Sequence, residues 1–151
     1  MLLKVRFAKF FLLRLISKAN QFDDLKSLDP QLYENLLNVK YYDGNLEDLG
    51  LTMTTAVDQF GVSKEIDLVP NGSNISVTKD NCPMYIMYLV NFLLNKRAYE
   101  QTKAFVKGMQ SVFPEDYLSY FFPDEIELLI SGGINQIDTE DLRVNTVLRH
   151  F

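Results

Sequence analysis

The sequence has no tryptophan, and in 151 residues it has one cysteine and one histidine. A lone cysteine excludes an internal disulfide framework and suits a reducing compartment. One His with one Cys cannot supply a zinc site of the usual His/Cys kind, and no metal or cofactor is expected. There is no long uncharged apolar run, so no transmembrane helix and no membrane partner are expected. No internal repeat, linker or low-complexity segment interrupts the chain. A glycine-rich phosphate loop is also missing. Gly132-Gly133 reads as a helix stop, with no G-x-G-x-x-G or P-loop pattern around it.

What is present is globular. Hydrophobic residues make up 47% and charged residues 23%, which argues against disorder. The length is that of about one domain and allows a real core. Net charge is −5, unevenly spread. Residues 1–22 carry Lys4, Arg6, Lys9, Arg14 and Lys18 and no acid, so the remainder carries a balance of −10. An acidic body offers no footprint for nucleic acid. It suits solvent or a basic partner surface.

The basic, apolar start has the Lys/Arg content of a presequence or an interfacial helix. Its apolar residues Val5, Ala8, Phe11, Leu12, Leu15 and Ile16 fall at helical spacing. The reading adopted is a core helix over 4–17 whose packing partner lies outside this chain.

A second helix is announced by Ser27, Asp29 and Pro30, with Leu32, Leu36 and Val39 at i, i+4, i+7. Tyr42-Asp43-Gly44-Asn45 ends it with turn chemistry. Alternating stretches follow around Leu51–Thr55, Glu65–Val69 and Ile75–Thr78, with turns at 58–63 and 70–74. They predict a three-stranded antiparallel meander packed on the flanking helices. A long helical region starts near Asn81, with Pro83 in its first turn, a break near Lys96 and a stop at Gly108. Phe113-Pro114 opens a new segment with a strongly aromatic run from Tyr117 to Phe122, and shorter helices are expected after Phe122-Pro123 and from Thr139. The fold class is α+β, mostly helical with one small sheet.

Reactive chemistry is sparse. His150 sits beside the chain end with no partner in view. Glu47-Asp48 and Asp124-Glu125-Glu127 read as turn and helix N-terminal charges. Asn71-Gly-Ser and Asn74-Ile-Ser match the glycosylation sequon but read as chance matches. A thiol near a helix N-terminus can have a lowered pKa, which makes Cys82 a candidate nucleophile. No base lies near it in the sequence, and an ordinary partly buried thiol is the preferred reading.

Several segments, in order, resemble the HECT-type ubiquitin ligase family. Val5–Leu12 (VRFAKFFL) resembles its V-x-F-A-x-F-F helix, and Leu28–Leu36 (LDPQLYENL) its L-D-P-x-L-Y-x-x-L helix. Tyr42–Thr52 (YDGNLEDLGLT) resembles the acidic turn that enters the sheet. Glu65–Gly72 and Ile75–Asn81 resemble E-x-x-L-x-x-G-G-x-x-I-x-V-T-x-x-N. Leu94-Asn-Lys, Gln101, Ala104-Phe105, Gly108 and Glu125–Gly132 (EIELLISG) follow in the family's order.

The resemblance implies a partial HECT domain over 1–151, matching the later part of the N-lobe. Residues 28–108 approximate the subdomain that binds the ubiquitin-conjugating enzyme. A C-lobe with a thioester-forming cysteine in a Thr-Cys-Phe motif would lie beyond Phe151, and Cys82 does not match that motif. The implied partners are a ubiquitin-conjugating enzyme, ubiquitin, and protein substrates bound through other regions. A cytoplasmic location is implied, with a nuclear one also compatible. The implied groove positions are Leu32, Leu36, Val39, Tyr42, Asp48, Leu49, Leu51 and Tyr85. Tyr85 is a mild variation on the family's aromatic. Leu49 replaces an acid found in some members, which removes a paired-acid contact. For Leu36 and Val39 a plain core role competes equally. Two other readings stand beside the docking fragment: a non-catalytic ubiquitin-pathway interaction module, and an enzyme using Cys82.

Overall fold

The computed structural model describes residues 6–59, 61–132 and 139–146. Lys4, Val5, Gly133, Val147 and His150 of the sequence reading lie outside them.

Helix α1 (Lys9–Leu15) is followed by a 3-10 turn at Phe22–Ser27 and helix α2 (Pro30–Lys40). The start of α2 follows from its sequence. The Asp29 side chain accepts the Leu32 N–H at 2.9 Å, which satisfies one otherwise orphaned donor, and Pro30 occupies the first helical position. A short 3-10 turn at Leu46–Leu49 ends on Gly50, whose φ of 62° is left-handed and favours glycine.

Strands β1 (Thr54–Gln59) and β2 (Val62–Asp67) form an antiparallel hairpin with Gln59 opposite Val62. Asp58 Oδ1 accepts the Gly61 N–H at 2.8 Å and closes the turn. The third expected strand is reduced to one bridge between Thr52 and Ser76. Two backbone bonds flank that bridge, Met53 N–H to Ile75 O at 2.9 Å and Val77 N–H to Leu51 O at 2.8 Å. Among the described residues the sheet proper therefore has two strands, and the α+β class stands.

Helix α3 (Cys82–Asn91) carries Pro83 in its first turn, as the sequence indicates. It continues as a π turn, Phe92–Lys96, marked by the Arg97 N–H bonding back to Phe92 O at 2.8 Å. The break expected near Lys96 lies at 97–98, before α4 (Tyr99–Gln110). Gly108 does not end that helix. It sits inside the last turn, exposed, where an exposed glycine costs only about 1 kcal/mol. Helices α5 (Glu115–Leu118), α6 (Pro123–Ser131) and α7 (Thr139–Asn145) follow. Gly132, at φ 76°, caps α6.

The core has two parts. One gathers Leu25, Leu36, Leu46, Met53, Val77 and the inner face of α3. The other gathers Leu12, Leu13, Leu15 and Ile16 against Leu118 and Ile126. Helix α1 spans both, with Phe10 in the first and its later residues in the second. This corrects one expectation. The apolar face of α1 finds its partners within the chain, in α6, α4 and the Phe22–Ser27 turn. Polar contacts fix its angle: Lys9 pairs with the buried Asp24 at 3.1 Å, and the Phe10 N–H donates to Ser27 Oγ at 3.3 Å.

Candidate docking site

A cleft of about 690 Å³ opens between the start of α2, the hairpin and α3. Its apolar wall comes from Leu28 and Leu32 on one side and Tyr85, Leu89 and Leu93 on the other. The last three recur every four residues, so they form one stripe along α3 and into the π turn. The hairpin closes the third side with Thr54–Ala56, Ser63 and Glu65. Thr54 Oγ1 donates to Glu65 Oε1 at 2.7 Å across the strands, which holds the polar wall in place. Asp29 and Arg97 add one charge of each sign.

This volume is enough for a large side chain, and an apolar floor with a few polar groups at its margin is the usual form of a recognition pocket. Tyr85 is the floor. It is 7% exposed and belongs to the core as well as to the cleft. Its hydroxyl bonds to no described residue, and burial raises its pKa, with the nearby Cys82 adding to the effect.

Of the eight positions implied by the resemblance, Leu32 and Tyr85 line this cleft. Leu36, at 3% exposure, lies in the core behind them. Val39 and Leu51 are partly buried against the same core. Tyr42, Asp48 and Leu49 are exposed on the connection after α2. There the Asn45 Nδ2 donates to Asp48 Oδ1 at 3.4 Å, and the Tyr42 ring lies so close to Gly44 that a Cβ there would touch it at 2.5 Å. The sequence reading omitted Leu28, Leu89, Leu93 and the hairpin wall. The four-residue spacing from Tyr85 was the available signal for Leu89 and Leu93. Nothing local in Thr54–Ala56 marks it as a cleft wall.

Cys82 is buried at the first position of α3. Burial raises its pKa, partly offset by Lys40, so the thiolate is disfavoured. Among the described residues no group of three or more His, Cys, Asp or Glu side chains is placed to hold a metal ion. No described helix is long and apolar enough to cross a membrane.

Over residues 1–151 the chain matches the model of the HECT-domain (ubiquitin-transferase) family. The chain belongs to the HECT family. It is 44% identical over 142 residues to a Schizosaccharomyces pombe protein named a probable E3 ubiquitin protein ligase, covering 93% of this chain. It is 37% identical over 145 residues to the Arabidopsis thaliana E3 ubiquitin-protein ligase UPL6, covering 96%. Identity to the human ubiquitin-protein ligase E3B is 36% over 148 residues, covering 95%. In each case the matched region is 14% of the relative's length. This HECT segment is thus a small part of proteins of that size.

Proposed function

We propose that this segment is the docking part of a HECT ubiquitin-protein ligase, and that its cleft receives a ubiquitin-conjugating enzyme. In this reading it is the later part of an N-lobe, and residues 28–108 form the docking subdomain. Ubiquitin passes from the conjugating enzyme to a cysteine on a C-lobe outside these 151 residues, and from that thioester to substrate lysines.

The observation that carries the reading is the meeting of Leu32 and Tyr85, fifty-three positions apart, on the apolar walls of one cleft. A loop-borne aromatic side chain placed there would be desolvated on three sides, the arrangement typical of a binding hot spot. In this reading Tyr42, Asp48 and Leu49, exposed on the connection after α2, add contacts to the same partner outside the cleft. The buried, proton-retaining Cys82 supports assigning binding, and not thioester chemistry, to this segment.

The test is mapping by NMR. A conjugating enzyme added to the isotope-labelled chain should shift the amides of Leu28, Leu32, Leu89 and Thr55. Shifts confined to α6 and α7 would reject the cleft as the docking site.

A further inference from the structure

Two of the polar residues that line the docking cleft are buried, Thr54 at 9% exposure and Tyr85 at 7%. Thr54 is engaged within the chain. Its hydroxyl donates to Glu65 Oε1 at 2.7 Å and stands 2.9 Å from Thr52 Oγ1. The Tyr85 hydroxyl bonds to no described residue. It is not sealed off, however: among the described residues the enclosed side-chain polar atom left without a partner is Asn20 Oδ1, and the Tyr85 oxygen keeps surface of its own. The cleft is the opening that Tyr85 lines, so the oxygen is reached from there.

Tyr85 begins the stripe that Leu89 and Leu93 continue, and those two offer neither donor nor acceptor. Side chains on a helix lean toward its N-terminus. The hydroxyl therefore sits at the end of the stripe nearest the start of α3, where Cys82 is close enough to add to the rise in its pKa. Burial is the larger cause of that rise and keeps the proton on the oxygen, so the group is a donor at neutral pH and above. In the open cleft it bonds to solvent. An occupant that covers it with apolar atoms alone leaves it unpaired, which costs more than a typical hydrogen bond gains.

We propose that the Tyr85 hydroxyl is a specificity determinant of the docking cleft, donating a hydrogen bond to an acceptor that the docked loop carries beside its aromatic side chain. This rests on the docking of a conjugating enzyme in the cleft, as proposed above. A main-chain carbonyl of the loop or an oxygen on a flanking side chain has the required chemistry. A loop of the same shape with neither in reach buries the hydroxyl unpaired and is rejected.

The test compares calorimetric titrations of a panel of ubiquitin-conjugating enzymes into the unmodified 151-residue chain, Tyr85→Phe and Leu32→Ala. Phe keeps the ring and removes the oxygen alone, so Tyr85→Phe should melt no lower than the unmodified chain. The tightest-binding enzyme should lose about threefold to tenfold in affinity for Tyr85→Phe, the range of one net hydrogen bond. Replacing the polar residues beside that enzyme's docked aromatic by alanine then locates the acceptor. If the loss in Tyr85→Phe disappears, the acceptor is a side chain; if it persists, the acceptor is the main chain. An unchanged or higher affinity in Tyr85→Phe, beside a weakened Leu32→Ala, overturns the role of the hydroxyl and leaves the cleft assignment standing. A lower melting temperature in Tyr85→Phe also overturns it, because the hydroxyl would then be bonded within the chain. Binding by no enzyme, or full affinity in Leu32→Ala, overturns the cleft assignment and this inference with it.

Discussion

The Arg14 guanidinium donates to the Asn95 carbonyl at 2.6 Å and lies 5.6 Å from the Tyr99 ring centre. One side chain of α1 thus caps the π turn that links α3 to α4. The π turn displaces the helical ladder there, and Arg14 satisfies carbonyl oxygens at the break, including that of Leu94 at 3.4 Å. Replacing Arg14 by Met keeps the apolar stem and removes the donors. The expected loss is about 1.5–3 kcal/mol, the range for a hydrogen bond to a charged group. Urea unfolding followed by circular dichroism measures it.

Gly72 sets a different constraint. A Cβ at this position would collide with the Met53 carbonyl oxygen. That carbonyl also accepts the Leu68 N–H at 2.9 Å, so it is not free to move aside. Gly72→Ala should therefore destabilise the chain by about 1–3 kcal/mol, the cost of overpacking. A thermal melt showing no change would mean that the connection from the hairpin to α3 shifts at no cost.

Alkaline pH should weaken the fold through Cys82 and Tyr85. Burial raises both pKa values in the native state. As pH rises, the unfolded chain releases these protons first, near the ordinary thiol value of about 8.5 for the cysteine. The unfolded state is then favoured, so stability present at neutral pH falls progressively above that point. Denaturation midpoints measured from neutral to alkaline pH should show the fall, and Cys82→Ala should shallow its onset. Iodoacetamide should also react more slowly with Cys82 in the native chain than with a free thiol.

Tyr85 and Leu28 separate stability from docking. Tyr85 is core, and Tyr85→Ala should cost about 3–5 kcal/mol by analogy with other large aromatic truncations. Its effect on docking is then confounded by unfolding. Leu28 is 40% exposed, and Leu28→Ala should leave the melting temperature within a degree or two while weakening the conjugating enzyme. Paired melting and binding measurements on the two variants check this.

The readable part of the fold was that set by local chemistry. Asp29-Pro30 started α2, Pro83 sat in the first turn of α3, and Gly132 stopped α6, because each acts through bonds within a few residues. The family motifs added the HECT assignment itself. The distant partners of α1 could not be read, because α4 and α6 lie more than eighty positions away. The third strand was over-read for a related reason. Ile75–Thr78 alternates like a strand, but the close packing of Gly72 on Met53 and the turn at Gly72–Asn74 leave room for one bridge. At the candidate site, periodicity exposed the stripe of α2 but not which of its members faces the cleft. Leu32 does and Leu36 does not, a distinction made by the position of α3 and the hairpin.

The central claim is that the Leu28, Leu32 and Tyr85 cleft docks a ubiquitin-conjugating enzyme. Its most direct test is calorimetric titration of a panel of conjugating enzymes into the unmodified chain and into Leu32→Ala. At least one enzyme should bind saturably, weakened by about 1–3 kcal/mol in Leu32→Ala with the fold intact. Equal affinity for the two chains, or no binding by any enzyme of the panel, would contradict it.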